Sequence, residues 1–365
     1  MKKVLTVLGA RPQFIKASVV SQAIASSGDL LREVVVHTGQ HFDANMSEIF
    51  FGDLGMARPA HQLSIHGGPH GEMTGRMLIE IERILLAERP DAVLVYGDTN
   101  STLAGAIASV KLHIPVAHVE AGLRSFNMAM PEEINRIVTD RVSHWLFTPT
   151  EAADANLRNE GTAASRIVRV GEVMHDVALR NAARVDARGR IMGQLGLTPR
   201  GYVLATVHRA ENTEDLQRLE VIVGALSEVS RRMPVVWPLH PRTRAILLDR
   251  ALLPSLGTGV HVIDPVGYLD MVQLESNAAV VATDSGGVQK EAFFYQVPCV
   301  TLRDETEWVE LVESGWNCLV PPRSVGVVAD LVISAIGSRG SDVMPYGDGD
   351  ASSRIVQRLL QDLAA

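Results

Sequence analysis

The sequence predicts an α/β protein of two Rossmann-like, doubly wound domains in series. Three observations predict it. Short runs rich in β-branched residues alternate with longer stretches of helical pattern, which is the rhythm of repeated βαβ units. Most of these runs are continuously apolar rather than alternating, as strands covered on both faces of a parallel sheet must be. The rhythm stops at a polar stretch rich in Arg, Gly and Ala, residues 180–200, and then starts again.

In chain order, strands are predicted at 4–8, 34–37, 92–96, 116–119, 145–147 and 167–170. Helical patterns at 13–26, 72–88, 100–112, 132–143 and 151–160 lie between or beside them. After the polar stretch, strands are predicted at 202–207, 235–237, 260–263, 278–282 and 299–302, with helices at 213–231 and 285–295 among them. Gly347-Asp348-Gly349 precedes a last helix at 352–363. Open sheets of this kind bind ligands beyond the carboxyl ends of their strands, so two of them predict a site in the cleft between the domains.

Composition narrows the function classes. A net charge of -8 over 365 residues argues against a general nucleic-acid binder, which needs a concentrated basic surface. Two cysteines, Cys299 and Cys318, each near an apolar run, suit reduced buried thiols rather than a disulfide framework. The apolar run after Met1-Lys2-Lys3 is too short for a signal-peptide core, and no stretch is long enough to span a membrane. A cytoplasmic enzyme is expected.

Six polar clusters stand at predicted strand ends or helix starts, where catalytic groups belong. Gly9-Ala10-Arg11-Pro12-Gln13-Phe14-Ile15-Lys16 turns into a helix whose first N–H groups, with Arg11 and Lys16, suit an anion; a capped helix with two solvated cations explains the same residues. It carries neither the dinucleotide fingerprint nor the Walker pattern, so NAD and ATP lose their usual marker. Tyr96-Gly97-Asp98-Thr99 puts a carboxylate after a strand, where a plain helix cap is the alternative. Glu120, in Val119-Glu120-Ala121-Gly122-Leu123-Arg124, ends a hydrophobic strand and is costly there unless paired, with Arg124 the local candidate, or functional.

Pro131-Glu132-Glu133-Ile134-Asn135-Arg136 starts a helix with acids in its first turn, and Glu132 and Arg136 share a face as a site pair or a surface pair. His208-Arg209 follows a strand of the second half; an anion partner and a structural histidine both fit. Asp284-Ser285-Gly286-Gly287 reads as an amide-lined phosphate cradle, with Glu291 placed on the next helix to accept from ribose hydroxyls. His66-Gly67-Gly68-Pro69-His70 reads as a loop, with no ligand set spaced like a zinc site, so no metal is expected.

In this order, the six clusters resemble the non-hydrolysing UDP-N-acetylglucosamine 2-epimerase family over nearly the whole chain. Gly9-Ala10-Arg11-Pro12-Gln13-Phe14, Arg124-Ser125-Phe126-Asn127 and His41-Phe42-Asp43-Ala44-Asn45-Met46 look closer to a branch that epimerises UDP-2,3-diacetamido-2,3-dideoxyglucuronate for surface polysaccharide. The resemblance implies a GT-B-like architecture, with residues 1–172 plus 351–365 as the sugar-binding domain and 173–350 as the UDP-binding domain. It implies a homodimer, no cofactor and a UDP-sugar substrate. Arg11, Lys16, His208, Arg209, Ser285, Gly286, Gly287 and Glu291 would hold the nucleotide, and Arg136 would orient carboxylates or meet phosphate. Asp98, Glu120 and Glu132 would surround the sugar, with His208 at the departing diphosphate. Some family members bind a second, activating UDP-sugar partly through a Gly-Gln-His loop; Gly39-Gln40-His41 is present, but Asp43 departs from the glutamine expected nearby.

An acid/base assignment follows for Asp98 and Glu132. A GT-B UDP-sugar glycosyltransferase and a non-catalytic UDP-sugar-binding regulator remain as alternatives, separated by acceptor dependence and by hydrogen exchange at C2.

Overall fold

The computed structural model describes residues 1–40, 51–52, 54–188 and 190–364. The stretch His41 to Met46 lies outside the described residues. The chain divides into two compact units, Met1–Val177 with Met344–Ala365, and Ala178–Val343.

Unit 1 carries β1 (Lys2–Leu8), β2 (Leu31–His37), β3 (His61–Gln62), β4 (Ala92–Tyr96), β5 (Val116–Val119), β6 (Trp145–Thr148) and β7 (Ile167–Arg169). They form one parallel sheet in the order β3-β2-β1-β4-β5-β6-β7. Unit 2 carries β8 (Val203–Thr206), β9 (Val235–Pro238), β10 (Val260–Ile263), β11 (Val280–Thr283), β12 (Cys299–Thr301) and β13 (Asn317–Leu319). Its parallel sheet runs β10-β9-β8-β11-β12-β13. Within each unit the order reverses beside the first strand, the doubly wound arrangement. β3 and β13 were not legible, being edge strands of two and three residues without a run to read.

The continuous apolar runs do lie inside. Val4, Leu5, Val7 and Leu8 of β1 are fully buried. The Asn100–Lys111 helix lies close on that sheet through Ala104, Ala106 and Gly105. A Cβ on Gly105 would come 3.1 Å from Val95 and 3.2 Å from Val7. In unit 2, Leu219, Ile222, Leu226 and Val229 of the Leu216–Val229 helix cover Trp237, Val203 and Val280.

Two predicted elements differ. The helix expected over 213–231 is broken: Ala210–Thr213 ends, and Asp215 caps a new helix by accepting from Gln217 N at 3.0 Å and Arg218 N at 3.1 Å. The polar stretch from 180 is helical to Arg188, as part of Val173–Arg188. The last helix, Ala351–Ala364, packs on the Arg11–Ser26 helix through its apolar stripe. Buried Asp176 caps it, accepting from Ala351 N at 3.1 Å and from Ser352 N and Oγ at 2.7 Å. Among the described residues, no helix is long and apolar enough to cross a membrane.

One glycine is tightly constrained. Gly122 has φ +82°, and a Cβ there would meet the Ala153 carbonyl oxygen at 2.5 Å. Gly122→Ala is expected to cost about 2–4 kcal/mol, since it adds left-handed strain to a backbone clash. A urea midpoint equal to that of the parent protein would refute this.

Candidate active site

The topology brings the clusters together within each unit. In unit 1, β1 and β4 flank the point where strand order reverses, and they lead into Gly9–Lys16 and Gly97–Asp98. In unit 2, β8 and β11 flank the equivalent point and lead into His208–Arg209 and Asp284–Gly287. Crevices beyond the strand ends at such points are where doubly wound sheets bind ligands.

In unit 1, Arg136 donates to Asp98 Oδ2 at 2.5 Å and to Glu133 Oε2 at 2.8 Å. Burial opposes the Glu133 charge, but the Ser125 and Phe126 amides, each at 2.9 Å, and Arg136 outweigh it and hold its carboxyl below the usual range. Asn135 Nδ2 donates to the Asp98 carbonyl at 2.9 Å and pins the turn. Glu132 is exposed in the same first turn, with no partner among the described residues. The surface pair Glu132–Arg136 is therefore not formed.

Glu120 adopts φ +74°, a conformation few non-glycine residues hold without functional or packing compensation. Its carboxylate hydrogen-bonds Lys16 Nζ. Burial works against the Lys16 charge, yet Glu120, Glu172 and Asp98 outweigh it and raise its pKa. The local pairing of Glu120 with Arg124 is replaced. Arg124 instead reaches Asp140 Oδ2 at 2.7 Å and Glu160 at 2.7 Å, with its side chain only 1% exposed. It is spent inside the fold.

Beneath Gly97 lies a fully buried imidazole. His118 Nδ1 meets Asp140 Oδ1 at 2.6 Å and Nε2 meets the Gly97 carbonyl at 2.7 Å. Both ring nitrogens face acceptors, so His118 orients the turn that presents Asp98.

The amides of the turn before the first helix are taken within the fold. Buried Gln13 takes the Gly9 and Ala10 N–H groups on Oε1 at 2.8 and 3.0 Å, and Pro12 has no N–H. The Gln13 amide donates in turn to the Tyr96 carbonyl at 2.7 Å and to Thr102 Oγ1 at 3.0 Å, tying the β1 loop to the β4 loop. Arg11 stands half-buried at the first helical position. Gln40 closes the next helix start, accepting from Ser101 N at 2.9 Å and Oγ at 2.6 Å.

In unit 2, Ser285 caps the Gly286–Phe294 helix. The Gly286 and Gly287 N–H groups have no acceptor among the described residues, which leaves an amide cradle. A Cβ on Gly286 would lie 2.7 Å from Glu307 Oε1, so a side chain there would have to displace the Glu307 carboxylate. Glu291 is one turn on from Gly287, on the same face. His208 is half-exposed, 3.7 Å from Asp284 Oδ1, with its ring 6.3 Å from that of His240. Arg209 lies 3.7 Å from Glu307.

Sequence reasoning missed the residues that hold these loops in place. Asp284 is fully buried and accepts from His208 N at 3.1 Å, Arg209 N at 3.0 Å and Asn212 Nδ2 at 3.1 Å. Gln13, His118 and Asp284 act across strands, and no spacing in the chain signals such partners, whereas Glu133 acts within its own connection on Ser125, Phe126 and Arg136. Among the described residues, no group of three or more His, Cys, Asp or Glu is placed to hold a metal ion.

The sequence family described as UDP-N-acetylglucosamine 2-epimerase matches residues 23–360. The chain is 58% identical over 366 residues to the UDP-2,3-diacetamido-2,3-dideoxy-D-glucuronate 2-epimerase of Pseudomonas aeruginosa, covering 98% of this chain and 99% of that protein. It is 42% identical over 363 residues to the UDP-N-acetylglucosamine 2-epimerase of Methanocaldococcus jannaschii, covering 98% of each. The solved structure of the Methanocaldococcus jannaschii UDP-GlcNAc 2-epimerase superposes with a TM-score of 0.90 at 41% identity, covering 99% of this chain and 100% of that one. That of the Neisseria meningitidis UDP-GlcNAc 2-epimerase bound to UDP-GlcNAc superposes with a TM-score of 0.84 at 30% identity, covering 98% and 100%. With its motifs in order, its two doubly wound sheets and these likenesses over the whole chain, the protein belongs to the UDP-N-acetylglucosamine 2-epimerase family.

Proposed function

We propose that the protein is a non-hydrolysing UDP-sugar 2-epimerase whose substrate is UDP-2,3-diacetamido-2,3-dideoxyglucuronate, feeding lipopolysaccharide or O-antigen synthesis as a cytoplasmic homodimer. One observation carries the chemistry: Asp98 and Glu120 stand just past strand ends of unit 1, held by Arg136 and Lys16 respectively. The choice of sugar is supported by 58% identity to a relative named for it, against 42% to one named for UDP-N-acetylglucosamine.

The C2 hydrogen has no adjacent carbonyl, so direct abstraction is slow. Departure of UDP solves this. The C1–O bond breaks and its electron pair leaves on the diphosphate. A carboxylate takes the C2 proton, and the C–H pair becomes a C1=C2 double bond. A proton then returns to the opposite face of C2 while the diphosphate oxygen re-forms the bond at C1. In the α-linked gluco substrate the C2 hydrogen is anti to the phosphate, and in the manno product it is syn. Two proton positions are required, and Asp98 and Glu132 are assigned to them. Glu120, steadied by Lys16, faces the cationic ring.

Arg11, Arg209, His208 and the Ser285-Gly286-Gly287 cradle take the diphosphate charge, and Glu291 meets the ribose diol. The step must exclude water, which would otherwise release free sugar.

Incubation with either UDP-sugar in D2O tests this. Deuterium at C2 with UDP kept attached is the expected result, faster with the diacetamido uronate. Transfer that needs an added acceptor would favour a glycosyltransferase. Binding without C2 exchange would favour a regulator.

A further inference from the structure

Behind the cradle, unit 2 sets the buried carboxyl group of Glu275 against the part-exposed one of Glu291. Glu275, near the end of the Tyr268–Ser276 helix, is 1% exposed, and its carboxyl hydrogen-bonds that of Glu291. Two carboxylates cannot hydrogen-bond without a proton between them, so the pair retains one. Burial, then the neighbouring Glu291 charge, pushes Glu275 above the usual glutamate range; burial also pushes Glu291 up, while Lys290 and the Glu275 hydrogen bond pull the other way. Glu275, the more deeply buried of the two, takes the proton, and Glu291 is the acceptor. The other oxygen of Glu275, Oε1, has no partner among the described residues, which fits a neutral acid.

Among the described residues, Glu291 is the one charge that acts on Glu275, while Arg180 faces Tyr268 and Arg200 faces Tyr202. Tyr268 comes from its own helix, Tyr295 from the Glu291 helix, Tyr202 from the start of β8 and Cys299 from β12. Burial raises all four, the Cys299 thiol to about 12, so they are neutral at physiological pH. Lys290 lies beside Glu291, its Nζ 4.3 Å over the Trp308 ring.

We propose that Glu275 is a positioning residue that shares one proton with Glu291 and so holds the Glu291 carboxylate ready for the ribose diol of the nucleotide. The proposal rests on the reading that Glu291 meets ribose. A carboxylate beside a sugar has two oxygens and several rotamers. A neutral acid donating into one oxygen fixes the rotamer and leaves the other oxygen for the diol, without adding a second negative charge under a diphosphate site.

A consequence for pH has a definite sign. The folded chain keeps a proton that the unfolded chain loses above the ordinary glutamate value of 4.5. This stabilisation is complete below that value and is lost as pH rises through the folded value. Glu275→Gln keeps a donor but has no proton to lose, so it removes its share of that slope.

The test uses the full chain, with UDP and 2′-deoxy-UDP as probes. Thermal denaturation without nucleotide between pH 5 and 8 reads the shared proton. The ratio of UDP to 2′-deoxy-UDP affinity reads the diol. The wild type is expected to prefer UDP by about tenfold or more, and to lose part of that preference at high pH. Glu275→Gln should keep the preference at every pH and flatten the stability slope, and Glu275→Leu should lose most of the preference. Equal stability slopes in wild type and Glu275→Gln overturn the shared proton. If Glu291→Ala abolishes the preference while Glu275→Leu keeps it, the positioning role fails alone. If Glu291→Ala keeps the preference, the ribose reading fails and takes the proposal with it.

Discussion

Asp98→Asn is expected to lower kcat by about 10²–10⁴-fold, the usual range for a general acid or base. Deuterium uptake at C2 should fall in step. That loss corresponds to about 2.7–5.5 kcal/mol of barrier. The side chain is isosteric, the Asn135 bond goes to the Asp98 carbonyl rather than its carboxylate, and Arg136 keeps Glu133 at 2.8 Å. The fold and KM should therefore change little. A kcat within a few-fold of the parent enzyme would remove Asp98 from proton transfer and leave Glu132 and Glu120 to divide it.

Replacing Asp284 by alanine should produce the largest loss of stability in unit 2. Its buried carboxylate gathers two backbone N–H groups of the His208–Arg209 turn and the Asn212 amide, at 3.0 to 3.1 Å. Truncation leaves these donors without a partner, at about 1–3 kcal/mol for each donor left buried and unmet, so a loss of about 3–5 kcal/mol is expected. UDP affinity should fall too, because the turn that presents His208 and Arg209 is released. Asp284→Asn, which keeps one acceptor oxygen, should be intermediate. A urea midpoint for Asp284→Ala matching the parent protein would show that the turn stands without it.

The class of fold was legible because burial on both faces of a parallel sheet writes itself along the chain as runs such as 92–96. Edge strands β3 and β13 were not legible, since two or three residues at a sheet margin carry no run. The post-strand clusters were legible for a similar reason: polar residues at the end of an apolar strand violate the local pattern and ask for a use.

What the chain alone determined was which residues are available: the acids Asp98, Glu120 and Glu132, the cations Arg11, Lys16 and Arg136, and the bare cradle Ser285-Gly286-Gly287. Only the tertiary structure decided who holds whom. Glu120 pairs with Lys16, 104 residues away, rather than with its neighbour Arg124, and Arg136 turns to Asp98 and Glu133 rather than to Glu132. Gln13, His118, Asp284 and Glu275 take their roles from groups on other strands and helices. A hydrogen bond or ion pair depends on distance in space, and a sheet that reverses its strand order beside β1 and β8 makes neighbours of residues the sequence keeps far apart.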